Sequence, residues 1–151
     1  MKKISFLLII FIIIFSLTSC KKEEYKTFGI GKEKQFIDQI YEYIDNDKEY
    51  CLIDLRDLET EYALGHFKGF INYSIEKGNT AEFVYKIKSM YSTNKTIFMI
   101  DKDGTKVEEL MNALKDEGYP KIYIYLGGYE KLNESNNDDF VIVTGKDDCG
   151  C

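Results

Sequence analysis

Tryptophan is absent from this chain of 151 residues, proline and histidine each occur once, and cysteine occurs four times. The missing tryptophan excludes nothing by itself. The single histidine, His66, has no second imidazole with which to build a zinc centre. Cys149 and Cys151 alone cannot complete a tetrahedral site, so no metal and no cofactor are expected. Basic patches are missing as well. With a formal charge of −6, the chain lacks the positive surface that nucleic acid binding uses. No internal repeat is visible. The one long apolar run, Ile4–Leu17, is shorter than the roughly 20 residues that a membrane-spanning helix needs.

What is present starts with that run. Lys2 and Lys3 precede it, only Ser5 and Ser16 interrupt it, and Leu17-Thr18-Ser19-Cys20 ends it. A positive segment followed by a short apolar one reads as an export signal. The four closing residues resemble a bacterial lipobox, in which Cys20 becomes the lipidated first residue. Residues 1–19 are then a signal peptide and residues 20–24 a tether. The alternative is an uncleaved anchor helix. Either way the domain is expected outside the cytoplasm, held to the cell envelope by its anchor. Losing Lys2 and Lys3 with the signal makes the mature chain more acidic, so lipid rather than charge would hold it to a membrane.

The remainder alternates short apolar runs with helical periodicity. Tyr25–Ile30 reads as an edge strand. Lys32–Ile44 carries Phe36, Ile37, Ile40, Tyr41 and Ile44 at spacings of three and four, which predicts a helix with one apolar face. Tyr50–Leu55 is apolar almost throughout, as a strand covered on both sides should be. Leu58–Tyr62 is read as a short helix and Phe70–Tyr73 as a brief strand. A helix over Ala81–Tyr91 comes next, capped by Asn79 or Thr80, with Phe83, Val84, Ile87 and Met90 inward. Strand Thr96–Ile100 leads through a loop to a helix over Lys106–Glu117, with Gly118 as its C′ residue and Pro120 just beyond. Lys121–Leu126 is the last clear strand, ended by a turn at Gly127-Gly128-Tyr129. Residues 133–139 are expected to be loose, and Phe140–Val143 to add a strand or pack on the body. The order implies an α/β fold, a small parallel sheet flanked by helices.

Polar residues cluster where strands end. Asp54, Arg56 and Asp57 follow one strand, and Asp101-Lys102-Asp103-Gly104-Thr105-Lys106 follow another. With Glu61-Tyr62, Gly65-His66, Gly69-Phe70-Ile71-Asn72 and Leu126-Gly127-Gly128, this set resembles the rhodanese-like domain family over residues 25–132. Each piece is weak; their order and spacing are specific. The resemblance implies a sulfurtransferase fold whose nucleophilic cysteine directly follows the central strand, in a loop of backbone N–H groups that stabilise a thiolate or persulfide. Here that position is Asp101. Gly104 matches the usual loop glycine, and Lys106 falls where many active members have arginine.

A carboxylate cannot hold sulfur as a persulfide. Aspartate can accept a phosphoryl group, but that chemistry needs a metal and a charge clamp. Two readings of Asp101 stay open: it supplies from within the negative charge that the loop would otherwise take from a bound anion, or it faces solvent on a drifted loop. Scaffold roles are expected elsewhere. Asp54 would accept bonds from loop amides, Arg56 would clamp the turn through Glu61, and His66 would be structural. Asn72 would tie its loop, Gly69 would allow a tight turn, and Gly127 and Gly128 would shape the pocket's far rim. Cys51 reads as buried and inert. Cys149 and Cys151 stand in an acidic segment, 133–151. They form a strained disulfide or a thiol pair, transfer sulfur, or bind a soft metal weakly. The function read from the sequence is a catalytically inactive, envelope-anchored binding or structural module with a protein or small-anion partner. The alternative is sulfurtransferase or thiol-redox chemistry at Cys149/Cys151.

Overall fold

The computed structural model describes residues 22–46, 48–74 and 79–146. The expected signal peptide, the expected lipidation site Cys20 and the pair Cys149/Cys151 lie outside the described residues. No helix among the described residues is long and apolar enough to cross a membrane.

Five parallel strands form the central sheet: β1 (Glu24–Phe28), β2 (Tyr50–Asp54), β4 (Phe70–Asn72), β5 (Thr96–Ile100) and β6 (Lys121–Tyr125), in the order β1-β6-β5-β2-β4. Among the described residues four helices accompany them: α1 (Glu33–Asp45), α2 (Thr80–Met90), α3 (Val107–Asp116) and α4 (Gly128–Glu134). Two further strands, β3 (His66–Phe67) and β7 (Ile142–Val143), pair antiparallel in a small sheet of their own. The parallel α/β architecture is the expected one.

The inner strands are apolar on both sides because both sides are covered, and their alternation sorts two kinds of side chain. Cys51, Ile53, Ile97, Met99, Ile122 and Ile124 pack with Phe83 and Ile87 of α2 and with Val107, Leu110 and Leu114 of α3. Leu52, Phe98, Ile100, Tyr123 and Tyr125 point the other way, towards Phe36, Ile37, Ile40 and Tyr43 of α1. One layer is mainly aliphatic. The other is aromatic, with Phe98 edge-on to Tyr123 and Tyr43 at centroid distances of 5.0 and 5.3 Å.

The helix ends obey their local chemistry. Asn79 accepts from the Glu82 amide and caps α2. At the end of α3, Gly118 takes φ +83°, and the amides of Gly118 and Tyr119 return to the carbonyls of Lys115 and Leu114. These two bonds satisfy carbonyls that the helix itself leaves open.

Several elements differ from the sequence reading. Tyr43, not Ile44, completes the inward stripe of α1, and Ile44 is exposed. Met90, the last residue of α2, is exposed too. Leu58–Tyr62 is not a helix; a 3₁₀ turn forms over Tyr62–Leu64 instead. The glycines after β6 do not merely turn, since Gly128 begins α4. Residues 133–139 are not loose, because Phe140 anchors their far end. Phe140 is buried, stacks on Tyr41 at 5.7 Å, and exchanges two hydrogen bonds with the Asn136 side chain. Glu24, placed in the tether by the sequence reading, is the first residue of β1.

Candidate functional site

Parallel strands leave their loops together at the carboxyl edge of a sheet, where α/β folds place sites. Here β2, β4 and β5 end side by side, and Asp54 is in register with Asn72 and with Ile100. The loops beyond them meet around a cleft of about 300 Å³ lined by Arg56, Glu61, Ser74, Asp101, Lys102 and Lys106, among others.

The first wall is a fixed corner. Asp54 is fully buried, and its carboxylate accepts from the Arg56 backbone amide at 3.0 Å, from Nε at 3.0 and 3.1 Å, and from Nη2 at 2.7 Å. Nη2 also donates to the Gly65 carbonyl at 2.8 Å, and the guanidinium lies 3.3 Å above the Tyr129 ring. Such an arrangement fixes geometry through paired bonds and a cation over a π face. Asn72 donates to the carbonyls of Asp54 and Arg56 and accepts from the Ser74 amide, tying the neighbouring loop in place. His66 is buried, stacks on Tyr62 at 3.7 Å, and donates from Nδ1 to the Tyr62 carbonyl. Gly69 has φ +93°, the left-handed conformation its tight turn uses.

Arg56 does not clamp Glu61, the partner expected from the sequence. Its Nε and Nη2 donate to Asp54 and Gly65 instead. Glu61 instead receives the Asp57 amide at 3.2 Å and pairs with Lys102, which raises the lysine's pKa.

The second wall is the loop after β5. Asp101 is 2% exposed, so it does not face solvent. Its Oδ1 accepts from the Gly104 amide and its Oδ2 from the Lys106 amide at 2.7 Å, while its carbonyl takes the Tyr129 amide at 2.8 Å. The carboxylate thus sits inside its own loop, on the amides that open α3. Burial pushes its pKa above the ordinary carboxylate range; the amides of Lys106 and Gly104 pull it part of the way back, and the charge of Asp103 adds to the rise. Asp103 is lowered instead, by the hydroxyl and amide of Thr105.

Close packing holds this loop. Gly104 has φ +84°, and a Cβ there would run into the Leu126 carbonyl. A Cβ on Gly128 would strike the Lys102 carbonyl, and one on Gly127 the Tyr125 ring. Gly104 and Gly128 let the two loops touch through their backbones, while Gly127 leaves room for the Tyr125 ring.

A second groove of about 500 Å³ shares Arg56, Glu61 and Lys102 with the first and adds Leu64, Gly65, Tyr129 and Ile142. The Lys102–Glu61 pair stands between the two. Tyr129, Leu64 and Ile142 were not singled out from the sequence. Tyr129 comes directly after the Gly127-Gly128 pair, but nothing in one sequence announces an arginine above its ring. Ile142 reaches the groove only through β7. Among the described residues, no group of acids, histidines and cysteines is arranged to hold a metal ion.

Comparison with known proteins bears on the fold. The model of the family described as "Rhodanese-like domain" matches residues 37–135. No curated protein matches the chain. Among solved structures, the rhodanese-like domain of an Anabaena sp. protein superposes with a TM-score of 0.56 at 14% identity, covering 73% of this chain and 77% of that one. An As–Sb reductase from Leishmania major gives 0.54 at 18% identity, with 75% and 80% covered. A Bacillus halodurans protein gives 0.53 at 14% identity, with 89% and 85% covered. At these identities the likeness is one of fold.

Proposed function

The chain belongs to the rhodanese-like domain family, and from that premise we propose that it is a binding or structural module of the cell envelope that lacks the family's usual sulfur chemistry. One observation carries the reading: the buried Asp101 carboxylate occupies the amides of Gly104 and Lys106 from within. Asp101 follows β5 directly, at the position where the family resemblance leads one to expect the nucleophilic cysteine. A carboxylate there forms no persulfide, and it fills the space in which a bound anion would meet those N–H groups. What the cleft still offers a partner is its rim. The Lys106 side chain, Ser74 and the Lys102–Glu61 pair line it, and they suit a protein surface or a small anion held outside the loop. The positive start, short apolar run and Leu17-Thr18-Ser19-Cys20 support export and lipidation at Cys20, with the membrane as the anchoring partner. Mass spectrometry of the amino-terminal peptide from envelope fractions tests that part; an unmodified Met1 peptide would refute it.

The full chain is expected to show no thiosulfate sulfurtransferase activity above buffer, and Asp101→Cys to acquire a persulfide detectable as a sulfur-sized mass increment that a reductant removes. Turnover by the wild type that survives mutation of Asp101 would overturn the reading. The second reading places thiol or sulfur chemistry on Cys149 and Cys151. Activity lost in a Cys149→Ser/Cys151→Ser protein would identify it.

A further inference from the structure

The second groove sets charged and apolar groups side by side. Arg56 lines it, but the buried Asp54 already answers that guanidinium. The charges left at the groove are those of Glu61, Lys102 and Glu130. Glu61 is held in place, since the Asp57 amide donates to its Oε2, while its Oε1 meets Lys102. Contact with Glu61 raises the lysine's pKa, and the charges of Glu130 and Asp103 add to the rise, so Lys102 is fully charged near neutrality. Lys102 is exposed, and an ion pair with an exposed partner costs little to separate. Beside the pair, Leu64 is 73% exposed and Ile142 42%, two large side chains that folding leaves uncovered. Between them Gly65 leaves a methyl-sized space. A Cβ there would stand 3.6 Å from Ile142 Cγ2 and 3.8 Å from Tyr129 Oη, in ordinary contact with both. The backbone at Gly65 is extended, with φ 172°, so it does not itself require glycine.

We propose that this groove binds a free aliphatic α-amino acid, with its ammonium on Glu61, its carboxylate on Lys102 and its side chain against Leu64, Ile142 and Gly65. The ligand exchanges one ion pair for two. An anion alone would take Lys102 and leave Glu61 unpaired beside Asp57, Asp101 and Asp103, which line the adjoining cleft. A cation alone would take Glu61 and leave Lys102 without its acid. A zwitterion answers both groups at once. Glu61 and Lys102 are in contact when unliganded, so after a small parting they still lie close together, as the two charges of an amino acid do on one carbon. A peptide terminus offers only one of those charges at that spacing. Glu130 supplies a second acid on the same groove and favours the ammonium further. The volume of about 500 Å³ admits a leucine-sized molecule. Its side chain would cover Leu64 and Ile142, and removing apolar surface from water favours binding. The inference goes beyond the reading above by naming a second site and a ligand class, and it calls on no sulfur chemistry.

The test is calorimetric titration of the full chain with L-leucine. Leucine should bind at least about tenfold tighter than isocaproate, which lacks the ammonium, or isoamylamine, which lacks the carboxylate. Glu61→Gln should abolish the advantage over isocaproate, and Lys102→Met the advantage over isoamylamine. Gly65→Ala, which fills the space offered to the ligand, should weaken leucine by about tenfold. Leu64→Ala, at an exposed position, should weaken it too and leaves the fold undisturbed. Equal binding of leucine and isocaproate by the wild type would reduce the groove to an anion site and overturn the proposal. So would a titration that shows no saturation up to about 10 mM leucine. Leucine binding indifferent to both Glu61→Gln and Leu64→Ala would put the ligand elsewhere and overturn it as well. The thiosulfate assay on the same protein bears on the reading above alone, so the failure of one is told apart from the failure of the other.

Discussion

Asp54 and Asp101 stand at the ends of adjacent strands, and both are buried, yet they are held by opposite means. Asp54 faces a guanidinium that binds it through Nε and Nη2 and is itself fixed by the Gly65 carbonyl and the Tyr129 ring. Among the described residues, Asp101 is bound by no cationic side chain; two backbone amides receive it. The first is a structural corner whose two charges depend on each other. The second is an occupant: the amides belong to the loop whatever accepts from them. Burial outweighs those amides in setting the pKa of Asp101, so the loop tolerates the charge without neutralising it.

The sharpest way to break this comparison is Asp54→Ala. It leaves the Arg56 guanidinium buried without its acid, and stability should fall by about 3–5 kcal/mol in urea denaturation. A loss near that of Asp101→Ala would mean that the two acids are equivalent. Gly104→Ala attacks the other side without touching a carboxylate. The positive φ and the overlap with the Leu126 carbonyl should cost about 3 kcal/mol. An unchanged midpoint would show that the loop adjusts freely.

The smallest and most discriminating effect concerns charge. Asp101→Ala should lower stability by about 2 kcal/mol, since two N–H groups lose their acceptor, and added sulfate should restore part of it. No response to sulfate would mean that the amides do not form an anion site. The pH effect has a definite sign as well. The folded pKa of Asp101 is raised, so between the unfolded value near 3.9 and the higher folded value the native state binds the extra proton. Stability from this group therefore falls as pH rises through that window. The gap between wild type and Asp101→Asn, which does not titrate, should widen in favour of wild type as pH is lowered through it. A gap that is flat with pH, or runs the other way, would contradict the placement.

Much of this is legible in the residues. Tyr50–Asp54, Thr96–Ile100 and Lys121–Tyr125 read as strands because burial on both sides demands unbroken apolar runs. Asn79 and Gly118 mark helix ends through chemistry confined to a few neighbours. Spacing can flag the loop at Asp101, but not that its carboxylate turns inward, since an Asp-x-Asp-Gly loop serves either conformation. The partner of Arg56 is ambiguous in the sequence because Glu61 and Asp54 are both within reach along the chain, and only the fold places the latter first. Helix α4 escapes the sequence because glycines that usually end structure begin it here, at a close approach visible only in three dimensions. Phe140 reads as part of a loose tail because its partners, Tyr41 and Phe67, are far away in sequence.

The pairing of β3 with β7 also bears on the order in which the molecule can be made. A chain synthesised from its amino terminus has residues 50–72 long before residues 141–145 exist. Strand β1 must likewise wait for Lys121–Tyr125 to gain its neighbour. Until the Val141 carbonyl reaches the Lys68 amide and Gly145 reaches Ala63, the 3₁₀ turn beside the cleft has no outer wall. Among the described residues, the groove at the Lys102–Glu61 pair is therefore the last part able to close, and a nascent chain stopped before residue 141 would carry most of the sheet with that side still open.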